Sequence, residues 1–334
     1  MTRLRRSNPS GPGYHRRMTD KGPVYEDEAG NRIVDEGELE RIRSLVLPPA
    51  WEDVWISPDA RGHIQAVGTD AAGRRQYRYH DSWRLHQDRV KFERAAQLAE
   101  TLTSARRKVT LDLREEGFGR DRILAAAFRI IDLGSVRIGS EEYLHANGSR
   151  GLTTLLCRHA RIEDDDITLT FPAKSAQRWT STITDADLAE LLRQIQALRG
   201  QRSRLLSWKD GTWHTIRPAS LNEYIRRQTR GEFTAKDFRT LHGTIVAARA
   251  LAELGVAGSD AQRKKRISAA VNEAAAALGN TPAIARNSYI DPRIFDRYRN
   301  GEVIDVSGGR VPEPALLELL SSGSQHRPER AEAA

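Results

Sequence analysis

The sequence predicts an α+β protein: a small β-rich N-terminal domain, then a mainly α-helical domain that carries a three-stranded antiparallel sheet. Two observations lead there. Between residues 24 and 80, short β-branched and aromatic runs alternate with turn signals, whereas from about Phe92 the apolar residues recur at the helical period. The 334 residues also exceed what one small module needs, and a hydrophobic content of 39% suffices for a core in each part. The domains read as 1–90 and 91–320, followed by a polar tail over 321–334.

The first 22 residues hold six Arg and Lys against one acid, broken by Gly and Pro. They read either as a flexible terminus or as a basic arm for a phosphate backbone. A helix is expected from Asp35, with Leu39, Ile42, Leu45 and Val46 on one face, stopping before Pro48-Pro49. Val54-Trp55-Ile56 and His63 to Val67 read as strands. A turn over Thr69 to Gly73 then leads into Gln76-Tyr77-Arg78-Tyr79 as a hairpin partner.

In the second part, Ala95, Leu98, Ala99 and Leu102 form one helical stripe. Ile123, Leu124, Ala127, Phe128 and Ile131 form another, ended at Gly134. Leu152 to Cys157, Ile167 to Phe171 and Trp179 to Ile183 are the three expected strands. Asp164-Asp165-Asp166 and Pro172 to Ala176 mark the turns between them. Thr184 should cap a helix that buries Leu188, Leu191, Leu192 and Ile195 and closes at Gly200. Thr234-Ala235-Lys236-Asp237 fits a capping box before Phe238, Leu241 and Ile245. A further helix runs from about Asp260 to Leu278 and ends at Gly279-Asn280. Thr281-Pro282 then opens a short helix carrying Tyr289, which Asp291-Pro292 interrupts.

Composition narrows the function classes. Lys and Arg number 53 against 45 Asp and Glu, a net charge of +8 that suits a polyanionic partner without naming it. The single cysteine, Cys157, excludes an internal disulfide framework and any multi-cysteine zinc site. No G-x-x-x-x-G-K-[ST] loop argues for ATP use, and no H-E-x-x-H or paired Cys/His spacing argues for a metal. Asp164 to Asp166 reads as a solvated turn, so neither cofactor nor metal is expected. Mean hydropathy is −0.60. With no apolar run of about 18 residues, a cytoplasmic protein without a membrane partner is expected.

Three cations stand where a solvated face would not put them. Arg137 follows an apolar helix in Gly134-Ser135-Val136-Arg137-Ile138-Gly139, Lys174 occupies a hairpin tip, and Arg239 lies beside Phe238 in an apolar helix. Singly, each reads as an ordinary ion pair or surface charge. In order, with Tyr289 after them, they resemble the catalytic series of the small poxvirus-type and bacterial type IB DNA topoisomerases, cousins of the tyrosine recombinases. The resemblance runs from Leu47-Pro48-Pro49-Ala50-Trp51 to Tyr289-Ile290-Asp291-Pro292 and takes in Gln76-Tyr77-Arg78-Tyr79 and Thr234 to Thr240.

That resemblance implies an ATP-independent isomerase that relaxes supercoiled DNA. It would cleave one strand through a 3′-phosphotyrosyl link, let the duplex rotate, and religate. The implied catalytic residues are Arg137, Lys174, Arg239, Asn280 and Tyr289; the implied DNA contacts are Gln76, Tyr77, Tyr79 and Tyr143. The implied partner is double-stranded DNA, clamped by a monomer in the nucleoid. Chemistry suits these roles. Planar, permanently charged guanidinium groups can hold two non-bridging phosphate oxygens, and a lysine can protonate the departing 5′-oxygen.

Two positions depart from the family pattern. Asn280 stands where relatives have histidine, so it can donate an amide hydrogen bond but carries no charge; it also reads as a simple helix cap after Gly279. Ser140 stands where the poxvirus enzymes have lysine. Residues 76–79 read equally as a half-buried strand with its aromatic rings toward the core. Two other classes compete. A tyrosine recombinase would usually place histidine at the position of Lys236, and an inactive basic DNA-binding protein would need none of the ordered residues.

Overall fold

Alternation of apolar and polar side chains builds the first sheet. The computed structural model describes residues 3–173, 177–306 and 312–322, and the chain divides into two compact units, Met1–Val90 and Lys91–Ala334. In the first unit the strands β1 (Tyr14–Thr19), β2 (Gly22–Glu26), β3 (Glu52–Ile56), β4 (Ile64–Thr69) and β5 (Arg75–Tyr79) form one antiparallel sheet in the order β2-β1-β3-β4-β5. Helix α1 (Glu36–Ser44) joins β2 to β3. Ile42 of α1 packs with Val54, Ile56 and Ala66 on one sheet face, while Trp55, Ile64 and Val67 cluster separately. A register shift between Ile64 and Ala66 accounts for this, because it breaks the strict two-residue alternation of β4.

The basic N-terminus is anchored to this sheet, not a free tail. Residues Tyr14–Thr19 pair with both β2 and β3, the Arg5 amide donates to the Arg61 carbonyl while the Arg5 carbonyl accepts from the His63 amide, and the Ser7 amide donates to His63 Nδ1 at 2.9 Å. Glycine is required at position 13, where a Cβ would lie 2.0 Å from Trp55 Nε1. Helix α1 also ends earlier than its apolar stripe suggests. Val46 adopts a left-handed conformation and is 76% exposed.

In the second unit the long helix α2 (Asp81–Leu113) arrives from the first, and its stripe Ala95, Leu98, Ala99 and Leu102 is buried as expected. Helix α3 (Arg120–Gly134) is central: Phe128 meets Phe238 edge-to-face, with ring centroids 5.2 Å apart. The short α4 (Glu141–Asn147) follows. The strands β6 (Ala160–Glu163), β7 (Asp166–Pro172) and β8 (Arg178–Thr184) form the three-stranded antiparallel sheet. Its first strand lies later than expected. Residues 152–157 are buried, but the segment is taken up by two short 3-10 turns, Leu152–Thr154 and Cys157–His159, and it pairs in strand fashion at one bridge, Leu156 with Arg204.

Helix α5 (Ala186–Leu198) is capped by Asp185, one residue after Thr184, through its carboxylate and the Leu188 amide. The hairpin β9 (Ser207–Asp210) and β10 (Thr212–Thr215) precedes α6 (Pro218–Thr229). The chain then forms α7 (Ala235–Leu254), α8 (Asp260–Leu278), α9 (Pro282–Ser288), α10 (Arg293–Arg299) and α11 (Pro312–Ser321). The expected α+β class, a small β domain and then a helical domain with a three-stranded sheet, therefore holds. Among the described residues no helix is long and apolar enough to cross a membrane.

The capping box at α7 is closed as its sequence suggests: the buried Asp237 carboxylate accepts from the Thr234 amide at 2.8 Å and from Arg94 at 2.9 Å. Asp237→Ala removes a cap and the carboxylate partner of Arg94, which keeps its hydrogen bond to the Glu232 carbonyl. Thermal or urea unfolding of this variant is expected to register a loss of about 1–2 kcal/mol. An unchanged midpoint would mean that α7 needs neither contact.

Candidate active site

Because Thr234 fixes where α7 begins, Arg239 falls in its early turns, on a buried face. Its side chain is 4% exposed. The guanidinium donates through Nη1 to the Ser135 carbonyl at the end of α3, and through Nη2 to the Leu278 carbonyl at the end of α8, the latter at 2.9 Å. It also lies 5.1 Å from the centre of the Tyr289 ring.

Arg137 comes from the turn that leaves α3. Ser135, not Gly134, takes the left-handed position there, with φ of 53°. Past it, the Leu152 amide donates to the Arg137 carbonyl at 2.8 Å and the Thr153 amide to the Ile138 carbonyl at 2.9 Å. Gly139 and Gly151 touch backbone to backbone, leaving no room for a Cβ on either. Held in this way, Arg137 donates to the Gly279 carbonyl and to Asn280 Oδ1.

Arg137 also orients the Asn280 amide. An arginine only donates, so the amide oxygen must face it and Nδ2 becomes a free donor. The cap at the end of α8 is Gly279, in the left-handed conformation, so capping is not what occupies the Asn280 side chain. Asn280 Nδ2, Arg239 Nε and Trp179 Nε1 are all buried and without a hydrogen-bond partner. Trp179 packs against Gly279, where a Cβ would meet its ring at 2.4 Å.

Tyr289 ends α9, its amide bonded to the Ala285 carbonyl at 3.0 Å. Its main chain rests on α7. A Cβ at Gly243 would lie 2.6 Å from the Tyr289 carbonyl oxygen, so glycine permits the approach. The Thr244 hydroxyl lies 3.0 Å from the Thr240 carbonyl and 3.3 Å from the Tyr289 carbonyl, and it accepts from the Asp291 amide at 3.0 Å. Sequence reasoning singled out none of Gly243, Thr244 and Trp179. A glycine inside an apolar helix was the one available signal of close packing.

Charge in this cluster is one-sided. Among the described residues neither Arg137 nor Arg239 has a carboxylate within salt-bridge distance. Burial pushes Arg239 down to about 10; the like charge of Arg137 adds to that and Tyr289 opposes it. Burial lowers Arg137 too. Both therefore stay cationic near neutral pH, and with the free amide they suit a tetrahedral anion beside the Tyr289 hydroxyl. Lys174 lies outside the described residues, between β7 and β8 in sequence.

The other expected contacts are only partly gathered. Arg75, Tyr77 and Tyr79 share the exposed face of β5, with Tyr77 and Tyr79 stacked at 5.9 Å; the tyrosines do not face the core. Gln76 lies on the opposite face and donates to Asp70 at 2.9 Å. Tyr143 is exposed on α4, whose N-cap is Ser140. No group of three or more His, Cys, Asp or Glu among the described residues is placed to hold a metal ion.

Residues 80–300 match the family model described as eukaryotic DNA topoisomerase I, catalytic core, and residues 23–70 match that of the bacterial DNA topoisomerase IB N-terminal domain. Over 327 residues the chain is 29% identical to DNA topoisomerase 1B of Acanthamoeba polyphaga mimivirus, covering 93% of this chain and 95% of that one. DNA topoisomerase 1B of Vaccinia virus (strain Copenhagen) is 21% identical over 318 residues, covering 91% and 92%. DNA topoisomerase 1 of Mycosarcoma maydis matches at 24% over 193 residues, covering 51% of this chain and 19% of that longer one.

Unpaired buried donors around two cations should take up an anion. A ligand at tenfold its Kd stabilises by about 1.4 kcal/mol. Inorganic phosphate is accordingly expected to raise the thermal midpoint of the wild type more than that of Arg239→Ala. Equal shifts would put the bound anion elsewhere.

Proposed function

The chain belongs to the DNA topoisomerase I family of type IB enzymes, and from that premise we propose that Tyr289 is the nucleophile that cleaves one DNA strand. As a type IB topoisomerase the protein acts on DNA and changes its topology. In the proposed step the Tyr289 oxygen bonds to the scissile phosphorus, the bond to the 5′-oxygen breaks, and the strand stays attached as a 3′-phosphotyrosine. The departing 5′-oxygen takes a proton and leaves as a hydroxyl, while the phenol proton passes to solvent. Religation runs the same path backward. Bond energy is conserved in the link, so no nucleotide need be hydrolysed.

The observation that carries this reading is the pair of guanidinium groups without carboxylate partners among the described residues, one of them over the Tyr289 ring. In the transition state Arg137 and Arg239 hold the non-bridging oxygens, where negative charge grows. Asn280 Nδ2 donates to one of those oxygens, as a neutral counterpart of the histidine of relatives. Lys174 protonates the leaving oxygen; its position in the arginine–lysine–arginine–tyrosine order and its chemistry support that role. The β5 face of Arg75, Tyr77 and Tyr79, together with Tyr143 on α4, contacts the duplex. Gln76 would join them only by leaving Asp70. We read the protein as a monomer that engages one duplex with both units.

Tyr289→Phe is expected to abolish relaxation of supercoiled plasmid, measured with EDTA and without ATP, while DNA affinity is kept. Persistent relaxation would remove Tyr289 from the reaction. Asn280→Ala should slow single-turnover cleavage by about 10- to 100-fold, the worth of one hydrogen bond to a charged oxygen. Asn280→His is expected to cleave at least as fast as wild type. Wild-type rates in Asn280→Ala would leave the amide with no part in the chemistry.

A further inference from the structure

The turn that ends α3 is built at a conformational cost. Ser135 sits at φ of 53°, a left-handed backbone that L-residues with a Cβ disfavour. Gly134 cannot relieve the turn by changing identity, since a Cβ there would lie 2.8 Å from Ile183 Cδ1. A serine in such a place calls for something its hydroxyl does. Its Oγ lies 2.7 Å from His242 Nδ1. The carbonyl of the same residue accepts from Arg239 Nη1.

Arg239 and His242 are three residues apart on α7, close enough along the helix for both to reach Ser135. A closed ring results: α7, the Arg239 side chain, the Ser135 carbonyl, the Ser135 hydroxyl, the His242 ring, and α7 again. Around His242 stand Asp132 and Glu313, both held by Arg106, and Arg239 itself. Burial lowers the His242 pKa, so the ring is neutral near pH 7 and adds no third cation.

We propose that the Ser135–His242 hydrogen bond is a positioning device for Arg239, fixing the left-handed turn whose carbonyl aims the guanidinium at the reacting phosphate. It rests on the reading of Arg239 as a ligand of the transition state. His242 and Ser135 touch no substrate in it; they act through Arg239.

Single-turnover cleavage of a DNA substrate, with DNA affinity and thermal midpoint measured alongside, tests it in Ser135→Gly, His242→Phe, His242→Asn, the Ser135→Gly/His242→Phe double variant and Arg239→Ala. Ser135→Gly relaxes the backbone, so a merely structural hydroxyl would leave a stable protein with wild-type cleavage. The expected result is instead a loss of about 10- to 100-fold in cleavage rate for Ser135→Gly and for His242→Phe, with affinity unchanged. The double variant should lose no more than either single one, since one device is broken once. His242→Asn, which returns a polar atom near the place of Nδ1, should recover most of the rate. Wild-type cleavage in stable Ser135→Gly, or additive losses in the double variant, would overturn the proposal while a slow Arg239→Ala left the catalytic reading standing. Wild-type cleavage in Arg239→Ala would overturn both.

Discussion

Two guanidinium groups, Arg239 buried and Arg137 half-buried, with no carboxylate partner among the described residues, set the terms for the rest of the helical unit. Taking a cation out of water costs several kcal/mol unless something nearby offsets it. An acid would do so and would also block a phosphate. Here the acceptors are neutral: the Ser135 carbonyl where α3 ends, and the Leu278 and Gly279 carbonyls where α8 ends. Helix C-termini carry partial negative charge and unsatisfied carbonyls. They hold Arg239 and Arg137 without neutralising them. The positive charge that remains is available to an anion.

Helix α7 links that charge to Tyr289, the proposed nucleophile. Its early turns carry Arg239, and the next turn carries Gly243 and Thr244, on which the Tyr289 main chain rests. Both contacts begin from the same Thr234 cap, so the distance from guanidinium to phenol is set along one rigid element. Donors fixed in advance need no rearrangement as the reaction proceeds, which is how electrostatic stabilisation gains its strength in a partly dry site. Asn280 fits the same logic. Arg137 holds its amide oxygen and thereby turns Nδ2 outward as a donor.

Much of this was legible in the sequence, for identifiable reasons. The Thr234–Asp237 box, the Thr281-Pro282 start and the apolar stripe of α3 are local signals, and the structure keeps them. The order of Arg137, Arg239 and Tyr289 was visible as a pattern against a known family; Lys174, its remaining cation, lies outside the described residues. What escaped was tertiary. Tyr14–Thr19 looked like a charged tail because Arg16 and Arg17 sit in a strand with no fully buried side chain. Residues 152–157 looked like a strand because burial alone makes an apolar run. The left-handed Ser135 and the close approach of Gly243 to Tyr289 depend on partners over forty residues away, and neither has a local signature.

The central claim is that the Tyr289 oxygen becomes bonded to DNA inside this cationic pocket. Denaturing the protein during reaction with duplex DNA, digesting it, and sequencing the nucleotide-bearing peptide by mass spectrometry tests that most directly. The expected result is one peptide carrying Tyr289 joined to a 3′-phosphate, with a free 5′-hydroxyl on the other side of the nick. A link through another residue, Ser288 for example, or through a 5′-phosphate, would contradict it.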